Sequence, residues 1–343
     1  MAGAHSLTSL VTGASGFLGG HLAEALVRRG EKVRALVRRT SNTAHLQGLG
    51  VELVLGDLGD TASLRSAARG VDRVYHCAGL VSDWGTWEAF HAANVTGVAN
   101  VLEAARDASV ARLIHISTTD VYGYPDRPAD ETAPHIKRGW PYGDTKIDGE
   151  RLVWDFSRRS GLPVTVIRPD SIYGPRSTSF VVEIVSLLRK GSMMHVGRGD
   201  QPAGLAYVGN VVDLILLAAD SEKSIGQAYN AADGSDVTWR QYVRRLAEIV
   251  GVPDPRTTIP YRPAYALGWT MEKVYSLFGV KSRPLITRMA VEIFGTDLGF
   301  PVEKARRELG YEPRVGLDEG MRRVESWLRS TGILGAAPLS GAH

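Results

Sequence analysis

The chain has 343 residues with 40 basic against 37 acidic side chains, so no broad field points to nucleic acid or an anionic membrane, and a small-molecule partner is expected. A single cysteine, Cys77, excludes an internal disulfide and any cysteine-built metal site; no metal is expected, and a reducing, cytoplasmic setting fits. No apolar run reaches the roughly eighteen residues of a membrane span, Met1–His5 carries no leader pattern, and the length suits about two domains.

In chain order, Leu7–Val11 is short, apolar and β-prone, and Phe17–Arg29 carries Leu18, Leu22 and Leu26 at helical spacing. Between them stand Gly13, Gly16 and Gly19. A glycine-rich turn from strand to helix sets bare N–H groups and the positive helix end against an anion, here a dinucleotide pyrophosphate; the plainer reading is a tight turn alone. Strand patterns follow over Lys32–Val37, Val51–Leu55, Val71–His76, Arg112–Ser117 and Val164–Arg168. They alternate with helical patterns over Thr61–Arg69, Thr86–Ala108 and Tyr142–Ser160. The alternation predicts an α/β fold with a doubly wound parallel-sheet Rossmann domain.

The stretch Thr12-Gly13-Ala14-Ser15-Gly16-Phe17-Leu18-Gly19 resembles the cofactor turn of the extended short-chain dehydrogenase/reductase family. That resemblance implies cofactor contacts from Gly13, Ser15, Gly16, Phe17 and Leu18. It also implies a smaller, largely helical C-terminal substrate lobe, with the cofactor domain over 1–175 and a contribution from about 205–232, the lobe over 176–204 and 233–331, and a flexible tail over 332–343. At the end of the second strand, where an NAD-preferring site places an acid, the chain has Val37-Arg38-Arg39. A guanidinium fork suits the extra phosphate of NADP, so NADPH is the preferred cofactor with NAD as the alternative, Arg38 leading and Arg39 supporting; two solvated surface arginines are the plainer reading. After the third strand, Asp57 and Leu58 resemble the family's adenine-holding pair, while Asp60 fits a helix N-cap. Cys77-Ala78-Gly79 ends the fourth strand with small residues that let a cofactor approach, Cys77 packing rather than attacking. Asn94 matches the family's asparagine on the long central helix, where a hydrogen bond to a strand is expected, more structural than chemical.

The chemical signal is Tyr142-Gly143-Asp144-Thr145-Lys146. Residues i and i+4 share a helix face, so phenol and ammonium can enter one cleft. A phenol has a pKa near 10, and half ionisation at neutral pH needs a shift of about 3 units, which a neighbouring ammonium, and the oxidised nicotinamide when present, are expected to supply. Tyr142 would then exchange a proton with a substrate oxygen, and Lys146 would also hold the nicotinamide ribose. Upstream, His115-Ile116-Ser117-Thr118-Thr119-Asp120-Val121-Tyr122-Gly123 resembles the family's hydroxyl-bearing strand end, which assigns Thr118 to the reacting oxygen with Ser117 as near rival and cofactor neighbour. Thr119 and Asp120 fit hydroxyl and carboxylate groups that satisfy a strand end. Arg168-Pro169-Asp170-Ser171-Ile172-Tyr173-Gly174-Pro175 is similar to the family's segment beside the nicotinamide, implying contacts from Pro169 and Ile172.

In the second half, Gly204-Leu205-Ala206 precedes Tyr207-Val208 where sugar-nucleotide epimerases carry an arginine, which counts against a nucleotide-sugar substrate, with Arg198 the one cation that could still reach in. Tyr261–Phe294 is rich in aromatic and aliphatic residues, and a lid, a small helical core and a peripheral membrane contact over 263–294 are the roles open to it. This insertion resembles the 3β-hydroxysteroid dehydrogenase branch, with the 2-alkyl-3-oxoalkanoate reductases, and the Val37-Arg38 pair resembles dihydroflavonol reductases. The resemblance implies an NADPH-dependent ketoreductase of a steroid-like or long-chain β-keto substrate, and a homodimer through the Thr86–Ala108 and Tyr142–Ser160 helices. A nucleotide-sugar epimerase or dehydratase with retained NAD is the alternative. A non-catalytic cofactor sensor is the third, disfavoured by the presence of both Tyr142 and Lys146.

Overall fold

The structure, a computed structural model, describes residues 6–334. Its strands are β1 Thr8–Thr12, β2 Lys32–Val37, β3 Glu52–Leu55, β4 Arg73–His76, β5 Arg112–Ile116, β6 Val164–Pro169, β7 Ser171–Tyr173, β8 His195–Val196, β9 Leu205–Tyr207, β10 Ala228–Ala231 and β11 Thr258–Ile259. Seven of them form one parallel sheet in the order β10-β6-β5-β4-β1-β2-β3. Side chains alternate across a strand, and adjacent residues enter opposite cores: Leu10, Leu113 and Val166 on one face, Val11, Ile114 and Ile167 on the other. Helices 17–28 and 208–220 cover one face, and 61–68, 97–107 and 141–160 the other, so the sheet is doubly wound as expected.

Chain order reverses between β1 and β4, and at such a switch point ligands enter beyond the carboxyl ends of the strands. The glycine turn leaves β1 there. The expected helix over Thr86–Ala108 is instead three pieces, α-helical over Trp87–His91 and Gly97–Asp107 with a π-helical turn over Ala92–Thr96 between them. Helix 141–160 passes so closely that a Cβ on Gly149 would stand 2.2 Å from the Asn94 carbonyl oxygen. The widened turn lies at that crossing.

The second half builds its own core from Trp239, Tyr242, Tyr173, Tyr207, Phe300 and Met321, around the small parallel pair β7 and β9. Helix 303–309 belongs elsewhere: Lys304 Nζ donates to Ala228 O (3.0 Å) and Tyr311 to Ala232 O (3.0 Å), seating it beside β10. Of the expected tail, Gly332–Leu334 forms a turn whose Ile333 and Leu334 pack on the second core; 335–343 lie outside the described residues. Among the described residues no helix is long and apolar enough to cross a membrane.

Candidate active site

The cofactor turn is a cradle that side chains would fill. Gly13 has φ +73°, and a Cβ there would meet Ala78 N at 2.7 Å; one on Gly19 would meet Gly13 O at 2.3 Å. Gly16 N closes the turn on Gly13 O (2.9 Å), and helix 17–28 begins with no side-chain cap, leaving the N–H groups of its first turn to a ligand. Phe17 and Leu18 sit on that first turn, and Ser15 just before it. Ala78 N donates to the Thr12 hydroxyl (3.2 Å), so Cys77-Ala78-Gly79 lies against the turn. Burial pushes the Cys77 thiol up to about 12, which keeps it protonated and fits packing rather than attack.

Beside this cradle, Arg38 and Arg39 are exposed at the carboxyl end of β2, and neither belongs to an ion pair among the described residues. Asp57 is exposed and accepts from Gly59 N (2.8 Å), with Leu58 partly buried behind it. Asp60 caps helix 61–68, accepting from Ala62 N (3.0 Å) and Ser63 N (3.3 Å), as expected. Pro169 is buried at the end of β6, and Ile172 is partly buried on β7. The residues present therefore fit a dinucleotide, in a geometry where glycine is the only tolerated side chain at Gly13 and Gly19.

Pro141 opens helix 141–160. Buried Asp144 reaches back to accept from Arg138 N (2.9 Å) and Gly139 N (3.0 Å), fixing the loop that delivers Trp140 and Tyr142. Asn94 holds the same helix: its Nδ2 donates to the Thr145 hydroxyl (3.2 Å) and to Leu80 O (3.1 Å), and its Oδ1 accepts from Leu80 N (2.9 Å). The partners of Asn94 are thus the loop after β4 and helix 141–160, not a strand, since Leu80 lies beyond the end of β4 at His76.

Tyr142 and Lys146 are both buried, 7% and 8% exposed. Lys146 Nζ donates to Ile116 O at 2.6 Å, and burial lowers the ammonium to about 8. Thr118 faces the phenol, donates to Asp120 Oδ2 (2.8 Å) and accepts from Asp120 N (3.2 Å); Tyr124 donates a short bond to Asp120 Oδ1. Burial first, then the Asp120 charge, raises the Tyr142 phenol, while Thr118 opposes this. Lys146 is not among the groups that lower the phenol, contrary to expectation, and its ammonium donates to the Ile116 carbonyl. Ser117 Oγ is buried without a partner, an orphan that suits a ligand contact.

Two acids escaped the sequence reading as site residues. Asp120 is raised by burial, and Asp170 further, by burial and then by Asp120; Asp170 Oδ2 is buried without a partner. Only folding brings them together, since one follows β5 and the other β6. The other side of Tyr142 is apolar, packed with Phe90, Trp140, Met289, Leu80 and Tyr265. Gly204-Leu205-Ala206 lies buried on and before β9 and offers no cation to a diphosphate.

Residues 9–232 match the NAD dependent epimerase/dehydratase family. Over 318 residues, 92% of this chain and 95% of the relative, the sequence is 35% identical to 4-hydroxy-2-methyl-3-oxo-4-farnesyl-3,4-dihydroquinoline-1-oxide ketoreductase of Stigmatella aurantiaca. It is 33% identical to 2-alkyl-3-oxoalkanoate reductase of Stenotrophomonas maltophilia, over 92% of this chain and 98% of the relative. Among solved structures it resembles MoeE5 in complex with UDP-glucose and NAD, with TM-score 0.76 and 26% identity over 94% of this chain and 99% of the other. With the glycine cradle, the Tyr142/Lys146 helix and the doubly wound sheet in place, the chain belongs to the NAD-dependent epimerase/dehydratase family, as an NAD(P)-dependent oxidoreductase.

Proposed function

We propose that the protein is an NADPH-dependent reductase, reversible as an alcohol dehydrogenase, acting on a ketone or β-keto group of a hydrophobic molecule of long-chain or steroid-like shape. The observation that carries this reading is a buried phenol, kept neutral by burial and Asp120 and packed among apolar side chains. The ketoreductase and the oxoalkanoate reductase among its relatives support it. Residues 1–175 with 205–232 would hold the cofactor, 176–204 and 233–331 the substrate, and two copies would pair through the helices over 86–108 and 141–160.

Bound NADPH supplies the hydride. Tyr142 gives its phenolic proton to the carbonyl oxygen as that oxygen gains charge, a role that needs the neutral phenol this environment favours. Thr118 orients the carbonyl, its hydroxyl turning from Asp120 to the substrate oxygen. Lys146, anchored on Ile116 O, would hold the ribose. Arg38 and Arg39 clamp the extra phosphate of NADP.

Loss of NADPH absorbance with a panel of lipophilic ketones, β-keto acids and ketosteroids, with NADH in parallel, tests this. Consumption with NADPH is expected. Arg38→Ala should weaken NADPH about 10- to 100-fold and leave NADH nearly unchanged, the loss of one charge-assisted contact; equal losses would sink the phosphate clamp. The likeness to a UDP-glucose- and NAD-bound structure favours a second reading, an epimerase or dehydratase. No consumption with either cofactor, together with NAD released on denaturation, would select it.

A further inference from the structure

Half of the exposed large apolar side chains fall in one short stretch. Of fourteen among the described residues, seven lie between 267 and 285, led by Leu277 (81% exposed), Phe278 (74%) and Leu285 (68%). Helix 261–277 buries only Ala264 and Gly268 completely, Gly268 lying flush on the backbone of 287–288. A core-forming helix does the reverse, hiding its large residues and exposing its polar ones.

The charges of this stretch are one-sided. Between 261 and 287 the single acid is Glu272, against Arg262, Lys273, Lys281 and Arg283. Glu272 is turned inward and accepts from Arg288 N and Nε, both at 2.7 Å. Arg283 is spent on Asp83, its Nη2 donating to Oδ2 at 2.6 Å. Lys273 stays outside, its Nζ 6.0 Å from the Trp269 ring centroid, and Lys281 stands exposed beside Phe278 and Val280. The outer surface of 267–285 is therefore aliphatic and aromatic tips among ammonium groups; the acids at its edge, Asp83 and the half-exposed Glu183, are both held by Arg283, Glu183 at 3.5 Å.

We infer that residues 267–285 dock the protein on an anionic bilayer surface, Leu277, Phe278 and Leu285 entering the acyl boundary and Lys273 and Lys281 meeting the lipid phosphates. Apolar tips and basic stems in one surface stretch match an interface that is greasy below and negatively charged above. A second copy fits less well, because an isologous contact would bring this cationic patch against itself. On its inner side the same helix carries Tyr265 into the apolar wall of Tyr142. Trp84 meets Tyr275 edge-on at 6.2 Å, and Thr287 donates to Asp83 (2.6 Å), joining this cover to the loop after β4. A water-insoluble ketone would pass from the bilayer to the phenol along one element.

Vesicle flotation of the full chain tests this, with phosphatidylcholine alone and with added phosphatidylglycerol, at low and high salt. The expected result is flotation with the anionic vesicles, weakened by salt. A Leu277→Ser/Phe278→Ser double variant, with an unchanged melting curve, should lower partitioning about tenfold or more. Lys273→Gln and Lys281→Gln should each lower it about fivefold. Wild-type protein that stays with neither vesicle overturns the inference, and so does a double variant that floats undiminished. A double variant that converts a sedimenting dimer to monomer while flotation persists assigns the face to a second copy. Flotation needs no turnover: floating protein that never oxidises NADPH keeps this surface and refutes the reductase, and a soluble reductase that never floats does the opposite.

Discussion

Helix 141–160 carries two buried charge systems one turn apart, and they are finished differently. At Glu150 every charge is met: Arg168 Nη2 donates to Oε1 (2.5 Å) and Nε to Oε2 (3.2 Å), while Arg168 also donates to the Tyr122 hydroxyl (2.7 Å) and faces His135 Nε2 (3.0 Å). Burial opposes the Glu150 charge, yet His135 and Arg168 hold the carboxyl far below its usual range. At Tyr142 and Lys146 the groups are moved the costly way, the phenol up and the ammonium down, with Ser117 Oγ and Asp170 Oδ2 left unpaired. Polar burial that is satisfied fixes three elements to one another; polar burial that is left short is a place waiting for a ligand.

The sharpest way to break this comparison is to remove chemistry at one end without touching the other. Tyr142→Phe should lower the reductase rate about 10²- to 10⁴-fold, the usual span of a lost general acid, while stability changes by less than about 1 kcal/mol. Parallel NADPH assays and urea titrations check it. A variant that reduces ketones at the wild-type rate would remove Tyr142 from the reaction.

Glu150→Ala should invert the pattern. It strands the Arg168 guanidinium in the interior, and breaking a buried pair from one side costs about 3–5 kcal/mol. The midpoint in urea should fall accordingly, while the folded fraction keeps its proton donor. A midpoint within error of the wild type would mean that His135 and Tyr122 suffice for Arg168.

The same contrast explains what could be read before folding. The glycine cradle, the Tyr142/Lys146 spacing and the alternation of strand and helix patterns are local or periodic signals, and the family, the fold and the oxidoreductase class followed from them. Asp120 looked like a strand-end carboxylate because its partners, Thr118 and Tyr124, are near in sequence; its position against Tyr142 depends on helix 141–160 crossing β5. The π turn at Asn94 packs against Gly149, a glycine whose only local signature is poor helix propensity. Lys146 was expected to acidify Tyr142 from i,i+4 spacing alone, and the spacing could not reveal that a strand-end carbonyl engages the ammonium. In the 261–294 stretch composition was legible, but which side faces solvent was not, since its helix has large apolar residues all round.

The smallest and most diagnostic change lies at Asp120. Its carboxylate raises the Tyr142 phenol, and it also raises Lys146 against the lowering by burial. Asp120→Asn removes the charge and retains an oxygen to accept from Thr118. Without it the phenol becomes more acidic, and the ammonium falls further below about 8. Reduction needs both groups protonated, so activity is full on the acid side of these ionisations and is lost as pH rises through them. Both shifts move the alkaline limb to lower pH, by about one unit, whichever group carries it. Alcohol oxidation needs the phenolate and should gain at neutral pH in the same variant. A purely structural Asp120 would lower kcat equally across the profile and leave the limb in place. Profiles of kcat measured in both directions separate the two.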